Sequence, residues 1–378
     1  MKPALTEKIA YVSYDCFVDT LRLPVIRELN KRCDFHYFAI FGKEPAYMYG
    51  PGDVRNYCSE NHIPCDIFVR RKRARHPEGA KIALDIVRGI RRFNPDVIYF
   101  EGFKDPYLPL LSRCFLGRKR VVVGIHDAVP HENFYSRLFA LNERLSISLF
   151  RHFHVFSDPQ KKAFSARYPR KNLFVARLPA CSLEGGKEHI SRQSADHGTN
   201  FLFFGNIHHY KGLDILIKAA NLLAAERNDF TVTIAGKCSD FAPYEAMIER
   251  SERFNLRISL IPSGEVPGLF AAADFLVLPY WDVTQSGPLM LALAHRVPVI
   301  SSDLPGFNEH ITAGVNGFLF PPGNADALAA CMRNVLNLGA GERDRLRAHI
   351  GQVAEKKFAL DSVLQEYAAM FHAVRASC

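Results

Sequence analysis

Residues 200–226 read NFLFFGNIHHYKGLDILIKAANLLAAE, and their pattern decides the fold. The apolar run Asn200–Asn206 has strand length, and Leu213–Glu226 is a strongly amphipathic helix. A strand that passes through a glycine-bearing loop into a helix opens a βα unit. Such units follow one another to the end of the chain. FTVTIAG (Phe230–Gly236) reads as a strand, Pro243–Phe254 as a helix, ISLIPS (Ile258–Ser263) as a strand and Val266–Ala272 as a short helix. Then come the strand DFLVLPY (Asp274–Tyr280), a helix at Gly287–His295, the strand VPVISS (Val297–Ser302) and a helical region from Ala325 onward. This alternation predicts a parallel, doubly wound sheet with helices on both faces.

The same grammar precedes it. KIAYVSY (Lys8–Tyr14), DFHYFAIFG (Asp34–Gly42), DVIYFEG (Asp96–Gly102), RVVVGIHD (Arg120–Asp127), FHVFS (Phe153–Ser157) and NLFVARL (Asn172–Leu178) are strands, with helices at Leu21–Cys33, Lys81–Phe93 and around Phe134–Phe150. Between the two halves, Cys181–Thr199 is polar and aperiodic and reads as a linker. A chain of 378 residues exceeds one ordinary core, so two domains are expected, at 1–180 and 200–355. The closing amphipathic segment, 356–378, is expected to pack back toward the first.

Hydrophobic residues at 48% and charged residues at 23% exclude a disordered or low-complexity chain. The net charge of +9 is unevenly placed. Residues 1–190 hold 32 Lys+Arg against 20 Asp+Glu, whereas the remainder hold 16 against 19. No apolar run approaches a membrane span, and the N-terminus has no secretory h-region, so a cytoplasmic protein is expected. Nine cysteines without a CxxC pair suggest neither disulfides nor zinc.

Ligands of open parallel sheets bind beyond the carboxyl ends of the strands. There, Gly205 lets the backbone approach a ligand, and Lys211 stands before a helix whose amide groups and dipole favour an anion. A second anion-friendly start is Thr284-Gln285-Ser286-Gly287, with Pro288 in the first helical turn. A serine there also caps a helix without binding anything. Two such starts in one sheet favour a diphosphate site. In the first half, His126 and Asp127 follow a buried strand, with Asp15, Asp19 and Glu101 as rival bases.

The array FFGNIHHYKGLDILIKAA, TIAG, ADFLVLPYWD, TQSGPLMLALAHRVPVISSDLPGFNEHI and NGFLFPPGNADALAACM resembles the nucleotide-sugar-binding domain of group 1 (GT4-like) GT-B glycosyltransferases over roughly residues 200–336. The resemblance implies a GT-B fold of class α/β, with two Rossmann-like doubly wound domains facing a cleft. It implies donor contacts from Gly205, Asn206, Lys211, Gln285, Ser286, Gly287 and Glu309, and catalytic roles for His126 and Asp127, as base or hydrogen-bond relay, near the donor sugar. Asn206 stands where the family commonly has arginine, a loss that His208 or His209 would cover. Val283 and Leu291 occupy the positions of the paired family glutamates, so both carboxylates are absent.

The expected activity is transfer of a hexose from a nucleotide-diphosphate sugar to a glycan acceptor, lipid-linked, in surface polysaccharide or glycoconjugate biosynthesis. No metal or other cofactor is expected, since no DxD motif follows a strand. A nucleotide-sugar epimerase of the same architecture and a non-catalytic binding module are the alternatives. The basic runs Arg70–His76, Arg88–Phe93, Gly117–Arg120 and Lys161–Lys171, interleaved with Leu21, Leu23, Phe134, Tyr135, Leu138 and Phe139, resemble acceptor domains that rest on the anionic inner face of the cytoplasmic membrane. No nucleic-acid-binding motif is present, so no such partner is expected.

Overall fold

Strand-forming runs rich in Val, Ile, Phe and Tyr build two parallel sheets. The computed structural model describes residues 7–15, 19, 21–42, 49–72, 76–126, 137–181 and 198–377. It divides into two compact units, 1–179 with 360–378 and 180–359. The strands of the first are β1 Lys8–Tyr14, β2 Asp34–Phe41, β3 Cys65–Val69, β4 Val97–Phe100, β5 Val121–Gly124, β6 His152–Val155 and β7 Asn172–Val175. Those of the second are β8 Thr199–Phe204, β9 Phe230–Ala235, β10 Phe254–Arg257, β11 Phe275–Leu278, β12 Val299–Ser302 and β13 Gly317–Phe320.

Every pairing is parallel, and the orders are β3-β2-β1-β4-β5-β6-β7 and β10-β9-β8-β11-β12-β13. Each order reverses direction once, between β1 and β4 and between β8 and β11. These are the switch points at which open α/β sheets bind ligands. β8 and β11 pair over only two residues each, Phe201 with Phe275 and Leu202 with Leu276. Central strands such as β4, β5 and β11 are buried along their whole length, as a sheet covered on both faces requires.

In the first unit the core runs from Ala10 and Val12 through Phe38, Ile86, Phe100 and Val123 to Phe153 and Phe164. The closing helix Leu360–Ala376 belongs to this unit. Its Tyr367 and Phe371 rings lie 6.0 and 6.2 Å from Tyr99, and Glu366 pairs with Arg177. In the second unit, helix Leu213–Ala224 buries Leu213, Leu216, Ile217, Ala220 and Leu223 against β8 and β9, at the helical spacing its sequence announces.

Four sequence expectations give way. The segment expected as helix Pro243–Phe254 forms only one turn, Ala242–Glu245, and the strand expected at Ile258–Ser263 lies earlier, at β10. Phe254–Arg257 are taken by pairing with Val232–Ala235, and the charge-rich GluArgSerGluArg run before them has no continuous apolar stripe to bury. Leu21 and Leu23, expected at a membrane-facing surface, are buried in the first core. Arg71, Lys72, Arg88, Arg91, Arg92 and Arg118–Arg120 are exposed as expected, but Arg70 is not. Asp127, Phe134, Tyr135 and most of the linker lie outside the described residues, as do the side chains of Leu138 and Phe139.

Candidate functional site

In the second unit the site begins where β8 ends. Gly205 has φ +104°, in the left-handed region where glycine carries no steric penalty. A Cβ built on it would stand 3.2 Å from Lys211 Nζ and 3.4 Å from Pro288 Cγ. The bare backbone of Gly205 is therefore where the lysine tip and the start of helix Gly287–Ala294 converge. The path from β8 to Lys211 is pinned by a single turn, His209–Lys211, closed by Gly212 at φ +64°. A Cβ at Gly212 would lie 1.9 Å from Pro279 O, and Trp281 N donates to Tyr210 O at 2.7 Å. The turn is thus held against the loop that follows β11.

Lys211 is only 8% exposed, and among the described residues no carboxylate lies within ion-pair distance of it. Burial alone pulls its ammonium down to about 8. Its ammonium lies over the face of Tyr280, 5.7 Å from the ring centroid. Ser286 caps the facing helix, its Oγ accepting from Leu289 N at 3.3 Å. Pro288 has no N–H, so the capped helix start retains the Gly287 amide, which makes no hydrogen bond among the described residues. A buried cation without a counter-ion, beside an open helix N-terminus and a bare glycine backbone, is arranged to receive a polyanion.

The other donor candidates take different places. Asn206 follows Gly205 and is half-buried. His208 stacks on Tyr210 at 6.0 Å, and burial together with the nearby Lys211 charge lowers its pKa. It is therefore a neutral hydrogen-bonding group beside Lys211. His209 is exposed. Val283 is buried, with its carbonyl 2.8 Å from a Cβ built on Gly306, and Leu291 is buried within the helix. Both sites are apolar in space as in sequence. Gln285 is half-buried in the same loop. Glu309 ends the short turn Pro305–Asn308 as its C-cap, with its carboxylate 4.0 Å from His310 Nε2 and its carbonyl accepting from Lys357.

The first unit holds a separate constellation beyond β1, β4 and β5. Arg22, buried at the start of helix Arg22–Asn30, donates through Nε to Glu101 at 2.5 Å and through Nη1 to Asp19 at 2.6 Å. Its Nη2 lies 3.3 Å from His126 Nδ1. A guanidinium can only donate, so Nδ1 must accept and the ring proton sits on Nε2. Burial first, then the Arg22 charge, holds His126 well below the usual histidine pKa. In this structure His126 is therefore a neutral donor through Nε2.

The rival bases are also engaged. Glu101 is 0% exposed; its second oxygen accepts from Tyr11 OH at 3.0 Å, and burial raises it to about 7. Asp19 accepts from the Leu21 and Arg22 amides, and Asp15 from Gly42 N with Lys104 Nζ at 3.7 Å. Arg22 escapes a motif reading because it sits within an apolar helix start, where its sequence context reads as core. Among the described residues no three His, Cys, Asp or Glu side chains cluster as metal ligands, and no helix is long and apolar enough to cross a membrane.

The second unit is an open parallel sheet with a buried lysine and a helix start converging beyond its switch point, and known proteins resemble it. Residues 198–338 match the family described as Glycosyl transferases group 1, and the chain has the GT-B fold. Among curated proteins it is similar to the amylovoran biosynthesis glycosyltransferase AmsK of Erwinia amylovora, at 28% identity over 58% of this chain and 53% of the relative. It is also similar to the lipopolysaccharide core mannosyltransferase LpsB of Rhizobium meliloti, at 27% identity over 45% of this chain and 50% of that one. The chain thus spans about half the length of these relatives. Among solved structures, Anabaena HepE in complex with UDP and glucose superposes with a TM-score of 0.75 at 17% identity, covering 97% of this chain and all of that one. Sucrose-phosphate synthase of Thermosynechococcus elongatus gives 0.74 at 14% identity, over 98% of this chain and all of the other.

Proposed function

We propose that the chain is a glycosyltransferase that moves a hexose from a nucleotide-diphosphate sugar to a glycan acceptor, lipid-linked, in surface polysaccharide biosynthesis. The observation that carries this reading is Lys211, a buried ammonium with no described carboxylate partner, facing Gly205 and the start of helix Gly287–Ala294. Charge develops on the leaving diphosphate as the anomeric bond breaks, and a preorganised cation and amide there stabilise that charge more than the ground state. The protein's own lysine thereby takes the part a metal ion plays elsewhere.

On the acceptor side, His126 donates a hydrogen bond through Nε2. With Glu101, Asp19 and Asp15 engaged, Asp127 is the carboxylate assigned to the acceptor proton. The exposed arginines and lysines of the first unit suit the anionic inner face of the cytoplasmic membrane, each contributing about 1 kcal/mol near such a surface. Both the AmsK and LpsB relatives carry names from surface-glycan synthesis, which supports the acceptor class.

The test uses Trp281, the one tryptophan of the chain, which is 44% exposed and bonded through its amide to the Lys211 turn. Titration with UDP, GDP and ADP should give a saturable change in its fluorescence for at least one, and the matching sugar nucleotide should support transfer to membrane-extracted acceptor. If no nucleoside diphosphate changes the fluorescence or the thermal midpoint, the reading is wrong.

A further inference from the structure

Arg70 follows β3, at the carboxyl edge of the first unit's sheet, and is 9% exposed. Its Nε and Nη1 are enclosed and make no hydrogen bond. The guanidinium lies over the Tyr14 ring, 5.5 Å from its centroid, and the nearest carboxylate oxygen, Asp105 Oδ2, stands 3.9 Å from Nη1. That carboxylate is already used. Its Oδ2 accepts from Tyr14 OH at 2.6 Å, and its Oδ1 accepts from the Tyr107 and Leu108 amides that begin the helix Tyr107–Phe115. Asp105 thus balances charge at a distance but leaves the arginine's donors unmatched. Enclosed charged donors are normally hydrogen-bonded, and those that are not point to a missing partner.

The surroundings name the chemistry of that partner. Lys104 reaches the same edge of the sheet, with its Nζ 3.7 Å from Asp15 Oδ1. Tyr14 ends β1 and Asp15 follows it, Lys104 follows β4 and Arg70 follows β3, so three strand ends meet at this edge, where, among the described residues, Lys104 is matched by Asp15 and only the Arg70 donors are left without a hydrogen bond. A guanidinium whose donors are set over an aromatic face binds oxyanions of carboxylate or phosphate type. We infer that Arg70 anchors an oxyanion subsite in the first unit, which takes a carboxylate or phosphate group carried by the acceptor. The assignment to the acceptor rests on the glycosyltransferase reading; the oxyanion site itself does not. It also explains why this arginine, alone of its basic run among the described residues, is buried instead of joining the exposed Arg71 and Lys72.

The experiment removes the donor site first. In a Lys211→Met background, inorganic phosphate and D-glucuronate are titrated separately, by thermal shift and calorimetry. At least one should bind, without changing Trp281 fluorescence in the other unit. Adding Arg70→Met should weaken that binding by at least about tenfold, and Arg70→Lys by less, since a charged hydrogen bond is at stake. Preference for phosphate identifies a phosphorylated acceptor, and preference for glucuronate an acidic sugar. Binding of neither, or equal binding after Arg70→Met, overturns the proposal. Should Arg70→Met fail to fold, selenate soaked into wild-type crystals decides the matter: an anomalous peak within hydrogen-bond distance of Arg70 supports the subsite, and its absence refutes it. Because nucleotide binding by the wild type is read independently at Trp281, failure here and failure of the transferase reading are distinguishable.

Discussion

Replacing Lys211 with methionine should stabilise the protein while removing the proposed donor site. Burial lowers the lysine from 10.5 to about 8, which at 1.36 kcal/mol per pH unit is a cost of about 3 kcal/mol for keeping the charge in the folded state. Below pH 8 both folded and unfolded chains hold the proton and the cost is complete. Between about pH 8 and 10.5 the folded chain releases it first, so the unfolded state binds more protons and stability rises with pH. Methionine fills a similar volume without charge. At pH 7 the variant should therefore gain up to about 3 kcal/mol, or roughly 6–12 °C for a unit of this size. Trp281 lies in the same unit, so urea unfolding followed by its fluorescence reads the relevant transition. The wild type should gain stability on moving from pH 7 to pH 10, and the variant should not. If Lys211→Met is no more stable than wild type at pH 7 and keeps the same pH profile, the lysine charge is compensated in the fold. The argument for an awaiting anion then fails.

Three further outcomes are expected. Nitrogen-15 spectra of the histidines should show His126 as the neutral Nε2–H tautomer without titration from about pH 5.5 to 8, because burial and Arg22 both oppose its protonation; an Nδ1–H signature or a titration in that window contradicts the assignment. Gly212→Ala should cost more than about 2 kcal/mol and weaken nucleotide binding, since it combines a left-handed φ with a Cβ 1.9 Å from Pro279 O; urea unfolding at Trp281 measures it, and a neutral result would refute the pinned turn. Transfer should continue at an unchanged rate in excess EDTA, with Lys211 serving the leaving diphosphate, and loss of activity restored by a divalent ion would contradict this.

The arrangement around Lys211 was legible because its parts are local. Gly205, Lys211, Ser286 and Gly287 each sit at a strand end or helix start, where the spacing of apolar runs already places them, and the fold needs only to bring two adjacent loops together. The first unit is harder for the opposite reason. Arg22, Glu101 and His126 are separated by up to 104 residues, and only the β1-β4-β5 neighbourhood shows that the Arg22 guanidinium serves both of the others. Arg70 read as part of a solvated basic run because charge composition says nothing about burial. Leu21 and Leu23 read as a surface pair because a short apolar helix face looks the same whether it meets a membrane or a core. The misplaced β10 has a similar origin: edge strands with mixed polarity lack a period that local sequence can display.

The central claim, that Lys211 meets the donor diphosphate, has a direct signature in proton uptake. With a pKa near 8 the free site is about half deprotonated at pH 8, and contact with a dianion should fill it. Calorimetry of sugar-nucleotide binding in buffers of different ionisation enthalpy should therefore show uptake of about half a proton per ligand at pH 8, and almost none in Lys211→Arg. The sugar nucleotide's own diphosphate, being esterified at both ends, does not titrate there. Tight binding without proton uptake at pH 8 would show that the diphosphate is held elsewhere.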